Sequence, residues 1–417
     1  MAEQIAEHKT AFDKNGWRVV FAGLGINLAL GILYTWSVIS GGVPEEWGWN
    51  QSDKALPYSV ACLVFCLIMV PAGRMQDKIS PRFVATLGGI LVGLGMIIAS
   101  FTTSPMGYMI GFGIFAGAGI GFGYASATPP AVKWFPAAKT GMIAGIVVSG
   151  FGLALAYAAP LTQALLGAFG LSTTMKILGG AFLIIVCGLA QLLKAPPADY
   201  IPEGQEAPKL AQAGDKKEDF LPSEMLKTVQ FYAVWIMYAC GAGAGLMIIS
   251  VAKKIVGGVV PAGLLMTVAL IGLAIGNGGG RILAGSLSDK LGRKVTLFLF
   301  LVIQAVLIVL LTQAKEGCIL GTAPVLISIY ALIGACYGSN LALFPSIAKD
   351  YYGLKNFGTN YGLVFTAWGV GGFLLAKGAG MLYDQYQTFN HAYIGAAILL
   401  IIAAIMVFFV KPPKHIV

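Results

Sequence analysis

Twelve apolar stretches of spanning length dominate this chain: residues 17–40, 56–73, 83–101, 106–128, 141–166, 174–193, 230–251, 261–285, 295–313, 322–347, 358–380 and 392–410. About 20 consecutive apolar residues are what a helix needs to cross a bilayer. Inside lipid only helices and closed barrels satisfy every backbone group, and runs of this length are helical. The chain is 57% hydrophobic and 11% charged, against about a quarter charged in soluble domains. The expected fold class is therefore an all-α membrane protein of twelve transmembrane helices with the bilayer as its main partner. Residues 1–16 are polar and the first apolar run has full spanning length, the pattern of an uncleaved first helix.

One connection is long and polar, residues 194–229, and it divides the helices six and six. The expected organisation is an N-terminal bundle over 1–193, a cytoplasmic linker over 194–229 and a C-terminal bundle over 230–417. The net charge of +9 does not point to nucleic acid, because the basic residues recur in short loops. Twenty of the 27 Lys and Arg fall on the side carrying both termini. Six (Lys54, Lys176, Lys253, Lys254, Lys315 and Lys377) fall on the other. That asymmetry places both termini in the cytoplasm of a multi-pass inner-membrane protein. The six cysteines form no CxxC and read as small packing residues. No metal or cofactor is expected. "GAGAGL" (241–246) and "GNGGGR" (276–281) look superficially like nucleotide loops, but neither follows a strand and no GxxxxGK[ST] occurs. ATP is thereby removed as an energy source.

"GRMQDKISPR" (73–82) after the second helix and "GSLSDKLGRK" (285–294) after the eighth align at an offset of 212. Repeats in corresponding places of two halves are a signature of secondary transporters. Gly73 and Gly285 are expected to allow close helix approach. Asp77 and Asp289 can meet a helix N-terminus or an arginine, and Lys78, Arg82, Lys290 and Arg293 anchor the loops inside. These eight are candidate gating residues; a plain positive-inside loop is the alternative for either copy alone.

Arg281 lies eight residues before Asp289, about 12 Å along a helix axis and so near the bilayer midplane. A charge there costs roughly 2.5–3.5 kcal/mol. Every acidic residue falls at a helix end or in a loop, so the guanidinium calls for an external anion. Its planar fork suits a carboxylate. The alternative is a cation that snorkels to the interface. Asn277 shares its face one turn earlier. Asn27, in the first helix, reads as a helix–helix hydrogen bond or a pocket residue, and the glycines of "GFGIFAGAGIGFG" (111–123) as either sliding contacts or static packing.

The repeat resembles the loop signature of the major facilitator superfamily, Gly-x-x-x-Asp-Arg/Lys-x-Gly-Arg/Lys-Arg/Lys. The second copy fits fully; the first has Ser80 and Pro81 where the pattern has Gly and a basic residue. "GILYTWSV", "KWFPAAKTGMIAGI", "SEMLKTVQFYAVW", "LALFPSIAKDYYG" and "NYGLVF" resemble the group of monocarboxylate transporters and oxalate:formate antiporters, bacterial lactate/proton symporters among them. The resemblance implies no enzyme. It implies a monomeric carrier that moves a small monocarboxylate, lactate or pyruvate, with a proton by alternating access; carboxylate anion exchange is the alternative. It implies that Arg281 binds the carboxylate, in a pocket of Asn277, Tyr34, Tyr124, Phe151, Tyr337, Phe365 and Trp368. Trp368 stands where the antiporters carry a second cation, a lysine, which favours a monoanion. Lys377, nine residues later, reads as an interface anchor. Animal monocarboxylate transporters carry an aspartate at the position of Asn277 and a lysine at that of Val38, so their proton-handling pair is missing here; the proton is expected to ride on the substrate. A non-transporting sensor of the same fold is the competing class.

Overall fold

The computed structural model describes residues 2–135, 140–197, 200, 220–257, 264–315, 317–353 and 356–413; the side chains of residues 2–14, 77, 140, 141, 255, 256, 264, 266, 289, 357 and 358 also lie outside the description. The described chain is helical. The passes are α1 (Asn15–Ser40), α2 (Gln51–Lys78), α3 (Pro81–Ala99) and α4 (Pro105–Val132). They continue with α5 and α6, the two arms (140–169 and 171–190) of Thr140–Ala190, and with α7 (Val229–Gly257) and α8 (Leu264–Leu291). The last four are α9 (Arg293–Leu311), α10 (Ala323–Tyr352), α11 (Phe357–Tyr386) and α12 (Asn390–Phe409).

The expected loop between the fifth and sixth runs shrinks to one residue. Gly170 takes φ 71°, ψ 176°, a backbone state open to glycine because it has no β-carbon. The chain reverses there. Gly23 packs against Val147 and its near neighbour Gly25 against Leu189, two residues that a straight helix would hold about 63 Å apart.

Local sequence sets the helix starts. Asn50 and Asp53 form a reciprocal capping box at α2, and Ser80 and Ser104 cap α3 and α4 ahead of a proline, where the missing N–H is no loss. The two loop repeats diverge for a visible reason. Gly292 sits at φ 82° ahead of α9, which favours glycine. Ser80 is extended at φ −174°, so a side chain is tolerated and its hydroxyl accepts from the Phe83 N–H.

Close packing is glycine-mediated. β-Carbons on Gly276 and Gly280 of α8 would run into the Ala331 and Ala335 carbonyls of α10, and those on Gly334 and Gly338 into the Leu273 and Asn277 carbonyls of α8. In lipid, where apolar burial gives little drive, such approach is what holds helices together. In α4, Gly113, Gly117 and Gly121 face α2 while Gly111 and Gly119 face α3, so these glycines serve packing among α2, α3 and α4. A β-carbon on Gly73 or Gly285 meets nothing within 4 Å among the described residues. Most of the expected linker lies outside the described residues. Its end is docked: the Phe220 carbonyl accepts from the Asn356 and Asn360 side chains, each at 3.0 Å.

Gly334→Ala is expected to destabilise the protein by about 1–3 kcal/mol, the cost of overpacking. Gly395→Ala in α12, where nothing lies within 4 Å of the added carbon, is expected to be neutral or mildly stabilising. Thermal unfolding of both variants in one detergent checks the contrast.

Candidate functional site

The α8–α10 packing fixes the backbone of Asn277 and Arg281, and the turn of helix between them aligns their side chains. Asn277 Oδ1 accepts from Arg281 Nε at 3.3 Å and from Nη2 at 3.2 Å. Arg281 Nη1 donates to the Val148 carbonyl of α5 at 3.0 Å. The side chain is 8% exposed, so the snorkelling alternative is excluded by its burial against α5. Tyr124 of α4 lies close to the same guanidinium. Among the described residues none of the partners of Arg281 carries a negative charge. The cation is held by neutral dipoles alone, which orient it without cancelling its charge.

Around it the predicted aromatics converge. Tyr34 of α1 and Tyr337 of α10 share a hydroxyl–hydroxyl bond of 2.5 Å, and Trp368 Nε1 donates to the Tyr337 hydroxyl at 2.9 Å. Phe151 packs edge-on to Tyr34 and Tyr124, with centroids 4.9 and 5.3 Å away. Phe365 stacks on Trp368 at 5.2 Å. All eight residues proposed from the sequence thus come together in one buried chamber filled by their own side chains, bounded by α1, α4, α5, α8, α10 and α11. Arg281 is the only cation of that chamber among the described residues. Asn27 belongs to packing: its Nδ2 donates to the Val147 carbonyl at 2.9 Å, tying α1 to α5.

Three participants escaped the sequence reading. Phe65 of α2 occupies the centre, its ring 5.3 Å from Tyr124, 5.8 Å from Phe151, 5.7 Å from Phe365 and 5.0 Å from Trp368. Gly152 leaves room for the guanidinium; a β-carbon there would lie 3.3 Å from Arg281 Nη2 and 3.4 Å from Asn277 Cγ. Val148 contributes only its carbonyl. A phenylalanine in an apolar run and a backbone oxygen carry no sequence signal. Gly152, one residue after Phe151, could have been flagged by its position.

The chamber is covered on the side away from the termini by a second set of polar contacts. Asp384 of α11 accepts from the Gln51 and Ser52 N–H groups at 2.8 and 2.7 Å, satisfying the open N-terminus of α2. Lys377 Nζ donates to the Ser52 carbonyl at 3.0 Å and to its hydroxyl at 2.5 Å. Lys254 of α7 donates to Gln51 Oε1 at 2.9 Å and sits 3.6 Å over the Tyr383 ring. The expectation that Lys377 anchors at the lipid interface is therefore corrected: its ammonium reaches a helix start that offers oxygen acceptors. Of the proposed gating residues, Arg293 pairs with Asp350 at 3.4 Å and donates to the Ser288 hydroxyl, while Lys78, Arg82 and Lys290 are exposed. The side chains of Asp77 and Asp289 lie outside the described residues.

The sequence pattern of the Major Facilitator Superfamily matches residues 19–374 and 258–417. The chain is similar to the oxalate:formate antiporter of Oxalobacter formigenes, 28% identical over 404 residues that cover 95% of this chain and 92% of the relative. It is also similar to an uncharacterised transporter of the same superfamily, YhjX of Escherichia coli K12, at 26% over 365 residues, 86% of each chain. Monocarboxylate transporter 12 of Xenopus laevis is 25% identical over 439 positions, covering 97% of this chain and 90% of the relative. In fold it resembles a bacterial homologue of the human lysosomal transporter Spinster, solved in an inward-facing, occupied conformation. The TM-score is 0.68 at 16% identity, over 94% of this chain and 96% of that one. A helical chain with eleven helices long and apolar enough to cross a membrane among its described residues, one of them doubled back at Gly170, and matched along almost its whole length, this protein is a multi-pass membrane transporter of the Major Facilitator Superfamily.

Proposed function

We propose that this transporter carries a small monocarboxylate, lactate or pyruvate, across the inner membrane together with a proton. The observation that carries the reading is Arg281, a buried guanidinium bound by neutral groups only. A carboxylate is the planar two-oxygen acceptor that matches its donors. The Tyr34–Tyr337–Trp368 chain supplies hydroxyls to orient the acid, and Phe65, Phe151 and Phe365 cover an apolar tail. A single cation balances a single negative charge, which favours a monoanion over a dicarboxylate. With no titratable acid against Arg281 among the described residues, the proton travels on the bound carboxyl group, and monoanion plus proton is neutral overall. The likeness to an oxalate:formate antiporter supports a second reading, exchange of one carboxylate for another. Counterflow of labelled lactate that needs no pH gradient distinguishes it from symport.

Arg281 on α8 bonds α5, and Asp384, Lys377 and Lys254 on α11 and α7 bond the start of α2. Alternating access between a half built from α1–α6 and a half built from α7–α12 requires both sets to break on the outward side. The Asp384 cluster is then the outer latch, and Arg281 is a tie that cargo can replace.

In proteoliposomes with an inward proton gradient, Arg281→Gln is expected to reduce lactate uptake at least tenfold, about 1.4 kcal/mol. Arg281→Lys is expected to remain poor, because a point charge lacks the two-donor fork. Normal uptake by Arg281→Gln would overturn the reading. Asn277→Asp places a carboxylate against the guanidinium. That carboxylate occupies Arg281 when ionised and frees it when protonated, so the ratio of uptake at acidic to neutral pH is expected to rise above wild type. Asp384→Asn is expected to weaken the latch by about 1 kcal/mol, roughly a fivefold population shift. Spin labels on Gly167→Cys and Thr322→Cys read this as a larger long-distance fraction.

A further inference from the structure

Phe65 brings no polar atom to the chamber, yet its ring fills the middle. The side chain is fully buried. Tyr124 of α4, Phe151 of α5, and Phe365 and Trp368 of α11 surround it with ring centroids between 5.0 and 5.8 Å away. The other rings have further attachments. Tyr124 lies close to the Arg281 guanidinium, Phe151 backs Tyr34, and Phe365 stacks on Trp368, which donates to Tyr337. The α2 backbone has no slack at this level. A β-carbon on Gly369 of α11 would run into the Cys62 carbonyl and Cys66 Sγ of α2, and one on Gly121 of α4 would lie 2.8 Å from the Phe65 carbonyl. With α2 already in close contact with both neighbours, it cannot shift toward either to make room. The free space in the middle of the chamber is therefore set by the size of this one side chain.

We infer, on the reading of Arg281 as the carboxylate site, that Phe65 limits the length of the tail this transporter accepts. Gly152, next to Phe151, is the residue that leaves room for the guanidinium, so a carboxylate on Arg281 has Tyr124 and Phe151 beside it. Its tail has to extend among the rings, where Phe65 already stands. The methyl group of lactate or pyruvate asks for a small displacement of that ring. Each further methylene asks for more, and forcing extra carbons into a packed interior is unfavourable. Replacing Phe65 by alanine leaves an apolar cavity of the kind that stays dry and takes an apolar guest. The altered chamber then has a place for the tail that the natural one refuses. Selection by length thus rests on a residue of α2, apart from the polar groups that hold the head of the acid.

Competition against counterflow of labelled lactate, in proteoliposomes of the full-length protein held at one pH, tests the inference. The competitors are the straight-chain 2-oxo acids from pyruvate to 2-oxohexanoate. In wild type the inhibition constant is expected to rise roughly tenfold or more from the shortest to the longest, as overpacking sets in. In Phe65→Ala the order is expected to reverse, each added methylene tightening binding about three- to fourfold. Phe65→Leu is expected to fall between the two and serves if the alanine variant does not fold. Phe112→Ala removes another buried ring, about three turns from Tyr124 along α4, and is expected to keep the wild-type order. A wild type indifferent to length, an order unchanged in both Phe65 variants, or the same reversal in Phe112→Ala would overturn the role of Phe65 and leave the Arg281 reading standing. A wild type that exchanges no lactate and is inhibited by none of the series would overturn that reading, and this inference with it.

Discussion

A positive charge held near the middle of a membrane by neutral oxygens is the constraint around which this molecule is organised. Arg281 is oriented by the Asn277 side chain and the Val148 carbonyl, and neither removes its charge. The cost of keeping a cation there is offset in part by these oxygens, and the close packing of α8 on α10 fixes the backbone from which the side chain reaches them. The four glycines of that crossing, Gly276, Gly280, Gly334 and Gly338, each lie against a backbone carbonyl of the facing helix. The helix packing and the chemistry of the chamber are thus one arrangement.

The architecture was legible because the bilayer imposes it. Spanning length and helix type follow from unsatisfied backbone groups, which no side-chain detail overrides. The α5–α6 turn was misjudged for a related reason: length rules expect a loop of several residues, and one glycine at positive φ did the work of seven. The chamber was legible where residue type clashes with lipid. An arginine and an asparagine one turn apart stand out against an apolar run, and the family resemblance supplied the aromatics. Phe65 and Val148 were not legible, since nothing distinguishes a phenylalanine at the chamber from one facing acyl chains, and a carbonyl belongs to every residue. Lys377 was misread because a cation near a helix end defaults to the lipid interface. Its true partner, Ser52, lies 325 positions away.

The two copies of the loop repeat show how a shared pattern is adapted to different local geometry. Gly292 is held by its positive φ, whereas at Ser80 the extended backbone permits a capping hydroxyl and Pro81 opens the next helix. The departure of the first copy from the family signature is a change in how α3 begins. Arg293, which stands where the first copy has Pro81, is drawn into a pair with Asp350, while Arg82, the counterpart of Lys294, is exposed at the inner surface. The basic position that forms an ion pair in the second copy is thus a helix-opening proline in the first.

Among the contacts between helices of the first six and the last six, two sets differ in chemistry. At the outer level, charged groups of α7 and α11 meet the start of α2: a carboxylate on N–H groups and two ammonium groups on oxygens. These bonds are satisfied by the protein itself. At the inner level Arg281 spans from α8 to α5 with no countercharge among the described residues. An anion bound at Arg281, as proposed, would change the energy of the inner level far more than that of the outer one. Differential stabilisation of this kind is what any ligand needs in order to shift a conformational equilibrium. A chain that neutralised Arg281 internally would lack that difference between the two levels.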